Sequence, residues 1–408
     1  MAGVSEALRA VSSELAVGGE SQPLSLSAAE RPLVKALAGT GTELWLDTGD
    51  RTEAATYWGP ELTALTTNNT LVNKVIQRGD LDEALGEAAK RLKAEAAGAS
   101  EDDLVYELGF VANARVALDL VRTFDARVSV ELHPAFAQDV EATVAWGRRY
   151  FALCPESFYI KVPLTPAGIL AVRRLSAEGI PVNFTLGFSA RQNSLAALFA
   201  NPAYVNVFLG RLNAVVADNG HGDGANVGER VCLASDAVVK ALRESGEGVV
   251  TRQIAASMRE GGQVATLAGV DVYTMPPGVF GQFLASGAAA ADLHPYDSVD
   301  LPVEADIDLT ALWDVSDAFR GFAAEAVRRA EELRAGADLT ALAEGVDGGG
   351  FLREYTPDEA MEIRTDGKIP VTSKWLGRVP LDDLMSRAAL ESFTVDQKAL
   401  DDRLRGML

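Results

Sequence analysis

Phe158-Tyr159-Ile160-Lys161-Val162 is an apolar strand with a single lysine set into it. It is followed by Ala167 to Glu178 at helical spacing and then by a second apolar strand, Pro181 to Leu186. Strand, helix and strand in that order make a parallel βα unit, because parallel neighbours need a long crossover between them. The alternation extends both ways, from about Glu43 to about Ser286. Its other strands are expected at Glu43 to Leu46, Leu62 to Thr67, Arg127 to Glu131, Tyr204 to Phe208, Val249 to Ala256 and Val270 to Met275. Apolar residues three and four apart predict further helices at Leu81 to Ala97, Asp102 to Thr123, Ala137 to Leu153 and Cys232 to Glu244. Roughly eight strands joined through helices predict an α/β fold, a (β/α)8 TIM barrel with additional N-terminal and C-terminal helices. An open doubly wound sheet would give a similar string.

The barrel is expected over residues 41–300. Residues 1–40 read as an N-terminal helical extension. Residues 301–355 read as an inserted helical segment, rich in Ala, Glu and Arg from Leu309 to Glu344, with Gly345 to Gly350 as a flexible connector. Residues 356–408 read as a C-terminal helical tail packing on the barrel and ending in an amphipathic helix, Asp396 to Met407.

Composition narrows the function classes. Lys and Arg number 37 against 58 Asp and Glu, a net charge of −21 in 408 residues. A field of that sign repels phosphate backbones and anionic lipid, so neither nucleic acid nor membrane is expected as a partner. With 48% hydrophobic and 23% charged residues the chain can fill a large core. Cys154 and Cys232 are the two cysteines and no Cys-x-x-Cys pair occurs, which excludes a disulfide framework and fits a reducing compartment. Met1 to Glu20 lacks a secretory apolar region, and no apolar run reaches the ~18 residues that span a bilayer, so a cytoplasmic location is expected.

A TIM barrel does its chemistry at the C-terminal ends of its strands. Here those ends carry Asp47, then Thr67 and Asn68, Glu131, Lys161, Asn183 with Thr185, and Asn206, with Ser257 and Arg259 just past the seventh strand. Residues i and i+2 share a strand face, so Asn183 and Thr185 would both look into the barrel. An ammonium in an apolar strand is disfavoured by desolvation, and the neutral amine of Lys161 could attack a ketone to form a Schiff base. Glu131 and Asp47 are the candidates to move the protons such chemistry needs, Glu131 through water held by Thr185. Asn68 and Asn183 could hydrogen-bond substrate hydroxyls. Arg211, Ser257 and Arg259 offer a local reversal of field suited to phosphate. Each has a structural alternative: Lys161 pairing with a carboxylate, Asp47 capping a turn, Ser257 forming a capping box with Glu260, and either arginine in a surface ion pair.

Leu46-Asp47-Thr48-Gly49-Asp50, Leu65-Thr66-Thr67-Asn68, Ser129-Val130-Glu131, Tyr159-Ile160-Lys161-Val162, Asn183 to Ser189, Phe208-Leu209-Gly210-Arg211 and Ala256-Ser257-Met258-Arg259 together resemble the transaldolase family of Schiff-base enzymes. The resemblance implies that Lys161 forms the Schiff base, that Glu131 is the acid/base through a water bound by Thr185, and that Asp47 takes the proton during aldol cleavage. It implies that Asn68 and Asn183 position a dihydroxyacetone unit and that Arg211, Ser257 and Arg259 bind phosphate. The implied reaction moves that unit from a ketose phosphate, sedoheptulose 7-phosphate or fructose 6-phosphate, to an aldose phosphate, as in the pentose phosphate pathway. The resemblance implies no metal or organic cofactor, and a homodimer is compatible with it. Three residues depart from the family pattern: Asn69 replaces a proline, His133 an acidic residue, and Asn206 a serine near the transferred group. His133, two positions from Glu131, is expected on the same strand face, and Asn206 and His133 could change which sugar fits.

Other readings are weaker. Gly220-His221-Gly222-Asp223-Gly224-Ala225 matches a dinucleotide-binding pattern but follows a helical stretch instead of a strand. His133, His221 and His294 are isolated, unlike clustered metal ligands. A simple aldolase of a specialised sugar pathway stays open, as does a non-catalytic sugar-phosphate-binding relative. The last of these would keep the arginines and lose Lys161 or Glu131, and both are present.

Overall fold

Eight parallel strands close into a barrel in chain order: β1 Glu43–Asp47, β2 Leu62–Thr66, β3 Arg127–Glu131, β4 Phe158–Pro163, β5 Val182–Thr185, β6 Tyr204–Phe208, β7 Arg252–Ala256 and β8 Val272–Met275. The ring is sealed by β1 pairing with β8, Leu44 opposite Tyr273. This is a (β/α)8 TIM barrel with added helices at both ends, and the open sheet is excluded. The computed structural model describes residues 4–19, 24–26, 31–344 and 351–408. The glycine-rich connector expected at Gly345 to Gly350 lies outside the described residues, as do parts of the N-terminal extension.

Every strand is short and almost wholly buried, as parallel strands covered by helices must be. The expected β7 begins later than Val249, at Arg252, because Gly246 and Gly248 sit at positive φ and keep the chain in a turn. Trp45, Tyr159 and Tyr204 fill the barrel interior, with Trp45 and Tyr159 stacked at 5.5 Å and Tyr204 edge-on to both. Arg252 pairs with Glu43 between β7 and β1.

The added helices are joined to the barrel through buried polar contacts. The N-terminal helix Glu6–Val17 is held by Ser12 donating to Glu107 at 2.5 Å, and Arg149 pairs with the same carboxylate. The last helix is much longer than the expected Asp396 to Met407. It runs Leu381–Arg405 and is buried on several faces along its first half, which removes the one-sided stripe that marks a helix in sequence. Asp382 near its start takes two hydrogen bonds from Arg191 and one from Ser189, each at 2.7 Å. The segment before it forms Thr310–Trp313, Asp317–Arg328, Gly336–Ala343 and Pro357–Asp366. No helix among the described residues is long and apolar enough to cross a membrane.

Candidate active site

Side-chain alternation fixes which residues face the barrel's interior. Trp45, Tyr159 and Tyr204 touch one another, so all three point inward. Asp47, Lys161 and Asn206 lie two residues further along the same strands and therefore point inward one layer nearer the mouth. The repeated aromatic-x-polar spacing in Trp45-Leu46-Asp47, Tyr159-Ile160-Lys161 and Tyr204-Val205-Asn206 was legible in the sequence as a layer of packing beneath a layer of chemistry.

One pocket at this mouth is lined by Asp47, Asn68, Lys161, Asn183, Asn206, Arg211, Ser257 and Arg259. Glu131 and Thr185 are buried behind its wall. Glu131 stands directly across from Lys161 in the β3–β4 ladder, and Oε2 lies 3.4 Å from Lys161 Nζ. Nζ also donates to the Thr67 carbonyl at 3.3 Å. The lysine is thus buried against a carboxylate and does not extend to solvent. Burial raises the Glu131 carboxyl above its ordinary range, opposed by the positive charge of Lys161. Burial likewise raises Asp47, opposed by Lys161 and then Arg259. Thr185 Oγ1 is buried without a hydrogen-bond partner, and Glu131 Oε2 faces only the Lys161 ammonium at 3.4 Å.

The two inward asparagines form a relay of fixed orientation. The Leu186 N–H donates to Asn206 Oδ1 at 3.1 Å, which leaves Asn206 Nδ2 to donate to Asn183 Oδ1 at 3.3 Å. Asn183 Nδ2 in turn donates to Ser129 at 3.0 Å. Leu186 has φ +70, an uncommon conformation for a residue with a side chain. Its peptide is held on the other side by Ser386 of the last helix, which donates to the Leu186 carbonyl at 2.9 Å. Asn206 therefore orients Asn183 as well as lining the pocket.

Arg211 is buried between the rings of Phe208 and Phe393. Burial, then the like charge of Arg259, lowers it to about 10. Gly210 is required here: a Cβ on it would lie 2.2 Å from the Ser257 carbonyl oxygen. The missing side chain lets the loop after β7, with Ser257 and Arg259, pack directly against the start of the helix that carries Arg211. Ser257 itself has φ +64, a second non-glycine residue in the left-handed region at this mouth.

Two expectations, for Ser257 and His133, are corrected. Ser257 does not cap the following helix; Glu260 occupies the cap position of Gly261–Thr266, and its backbone N–H donates to Gln263 Oε1 at 3.1 Å. Asn68 caps the helix Asn69–Gln77, its Oδ1 accepting the Leu71 N–H at 2.8 Å, which leaves Nδ2 and one lone pair of Oδ1 for a ligand. Asn69, which stands where the family has proline, opens that helix, and its Nδ2 donates to the Leu132 carbonyl at 3.4 Å. His133 is not on the pocket side. The β3 strand ends at Glu131, alternation ends with it, and His133 turns outward to Asp401 of the last helix at 3.1 Å. Sequence reasoning missed Ser129, Thr274, Phe393 and Lys368 at the site; Thr274, whose hydroxyl donates to Thr66 at 2.8 Å, could have been found as the polar residue near the end of β8.

The transaldolase/fructose-6-phosphate aldolase family profile matches residues 44–333. The chain belongs to this family. Proteins described as "probable transaldolase" from two strains of Thermus thermophilus are each 36% identical to it over 251 residues, covering 59% of this chain and 90% of theirs. A "probable transaldolase" from Symbiobacterium thermophilum is 33% identical over 177 residues, covering 42% of this chain and 71% of its own. The transaldolase-family match spans the strand ends from Asp47 to Arg259 and stops short of Lys368 and Phe393.

Proposed function

We propose that this chain is a transaldolase that carries a dihydroxyacetone unit from a ketose phosphate to an aldose phosphate on Lys161. The observation that carries the reading is the buried approach of Lys161 Nζ to Glu131 Oε2, 3.4 Å, at a pocket that also holds Asp47 and two arginines. Proton transfer from the ammonium to Glu131 exchanges two buried charges for two neutral groups, and the raised affinity of Glu131 for a proton favours that exchange.

The free amine attacks the ketone carbon, and the carbinolamine loses its oxygen as water when Glu131 delivers a proton, relayed by a water held by Thr185. The resulting iminium withdraws electrons from the adjacent carbon–carbon bond. Asp47 takes the proton of the neighbouring hydroxyl as that bond breaks, and an aldose phosphate departs. The enamine left on Lys161 then attacks the aldehyde of the acceptor, Asp47 returns the proton, and hydrolysis of the new iminium frees the product. Asn183 and Asn68 hold the hydroxyls of the three-carbon unit. Arg211, Ser257 and Arg259 hold the phosphate. The same reading places the chain in cytoplasmic sugar metabolism, with the pentose phosphate pathway as its setting.

Borohydride reduction in the presence of fructose 6-phosphate, followed by peptide mass mapping, tests the reading. A three-carbon adduct is expected on Lys161 and is expected to vanish in Lys161→Ala. An unchanged wild-type mass with several ketose phosphates would overturn it. Transfer to erythrose 4-phosphate, as against release of free dihydroxyacetone, separates a transaldolase from a simple aldolase.

A further inference from the structure

The pocket has one basic residue that lies beyond the family match. That match ends at residue 333, yet Lys368 lines the same cavity as Arg211, Ser257 and Arg259. It follows the helix Pro357–Asp366 by one turn of chain, made at Gly367 with φ +91. The Lys368 carbonyl accepts a hydrogen bond from Arg211 Nη1 at 3.4 Å, so this peptide is seated on the arginine that the barrel itself supplies.

The charges around it point to an anion. In the same stretch Arg364 is paired with Glu391 at 2.6 Å and Lys374 with Asp366 at 2.6 Å. Lys368, Arg211 and Arg259 have no carboxylate at ion-pair distance among the described residues. In a chain of net charge −21, three basic residues without ion-pair partners line one cavity, alongside Lys161 and Asp47. Like charges gathered this way repel, and Arg211 already feels that repulsion from Arg259. A phosphate carrying close to two negative charges turns the repulsion into attraction.

We infer that Lys368 is a third phosphate-binding cation, supplied by the C-terminal segment, that makes the pocket selective for phosphorylated over unphosphorylated sugars. This rests on the sugar-phosphate reading of the site. As an exposed lysine it acts as a flexible point charge at the rim, while the arginines supply planar hydrogen bonding.

The test uses the full chain as wild type, Lys368→Met and Lys368→Arg. Calorimetric titration with inorganic phosphate at low salt should show binding weakened about twofold to fivefold in Lys368→Met and restored in Lys368→Arg, with the difference shrinking at high salt. In transfer assays KM for erythrose 4-phosphate should rise by a similar factor with kcat unchanged, while kinetics with unphosphorylated erythrose stay as in wild type. Equal phosphate affinity in wild type and Lys368→Met, or no measurable phosphate binding by wild type, overturns the inference. So does an equal loss with both acceptors. Because the titration needs no turnover, a wild type that binds phosphate but transfers nothing refutes the proposed reaction and still leaves the role of Lys368 decided by its variants.

Discussion

Asn206 Nδ2 donates to Asn183 Oδ1 at 3.3 Å, across adjacent strands of the barrel. The direction is not arbitrary: the Leu186 N–H occupies Asn206 Oδ1, so the amide can only be turned one way. Asn183, one of the residues assigned to the three-carbon unit, is consequently presented to the pocket in a single orientation.

Replacing Asn206 by Asp keeps an acceptor for Leu186 and removes the donor to Asn183; replacing it by Ala removes both. The Ala variant should lose about 1–3 kcal/mol of stability, because a buried N–H is left without a partner, and the Asp variant at least as much, because it sets a buried carboxylate oxygen against Asn183 Oδ1. Both should lower kcat/KM on the order of 10- to 100-fold by letting Asn183 rotate. Thermal unfolding and steady-state kinetics separate the effects. Full activity in Asn206→Asp would show that the orientation of Asn183 does not matter.

Asp47 is pushed above the usual carboxylate range by burial. If it must be ionised to take the hydroxyl proton, activity should climb as pH rises through that elevated range. Asp47→Asn should lower kcat by about 10²- to 10⁴-fold and shift the acid limb of the pH–rate profile. A variant that is slow yet keeps the wild-type limb would assign the limb to another group, Glu131 first.

His133 faces Asp401 on the last helix, with Tyr106 edge-on to its ring. His133→Ala should therefore cost about 1 kcal/mol of stability and leave kcat/KM within about twofold for every acceptor. A changed acceptor preference would restore the expectation that His133 shapes the sugar site.

Asp383 accepts the Tyr355 hydroxyl at 2.9 Å. Its carboxyl is pushed up to about 7 by burial and by the charge of Asp382, from an ordinary 3.8. Between those values the folded state binds a proton that the unfolded chain has released. The stability it contributes is therefore full below about pH 3.8 and is lost as pH rises through about 7. Asp383→Asn, permanently neutral and still able to accept from Tyr355, should gain melting temperature over wild type as pH rises through this window. A difference that stays flat with pH would count against it.

The barrel was legible because its strands are short apolar runs separated by helical stretches, and β3 and β6 lie where the periodicity places them. The pocket residues could be read because strand ends are where a barrel concentrates polar groups. What escaped the sequence lies outside that logic. Phe393 and Lys368 reach the mouth from elements with no place in the βα repeat, and nothing local marks them as neighbours of Arg211. His133 was misplaced because alternation was extended past the last residue of its strand. Most of the last helix went unseen because its first half is buried on several sides and so lacks an amphipathic period.

That helix also imposes an order on the making of the molecule. All eight strands leave the ribosome before Leu381 does, so a nascent barrel has its ring of strands and the lysine but neither Phe393 beside Arg211 nor Ser386 beneath the Leu186 carbonyl. Arg191 is likewise without Asp382 until then. Chain order thus makes this helix the last piece of the reactive mouth to be synthesised.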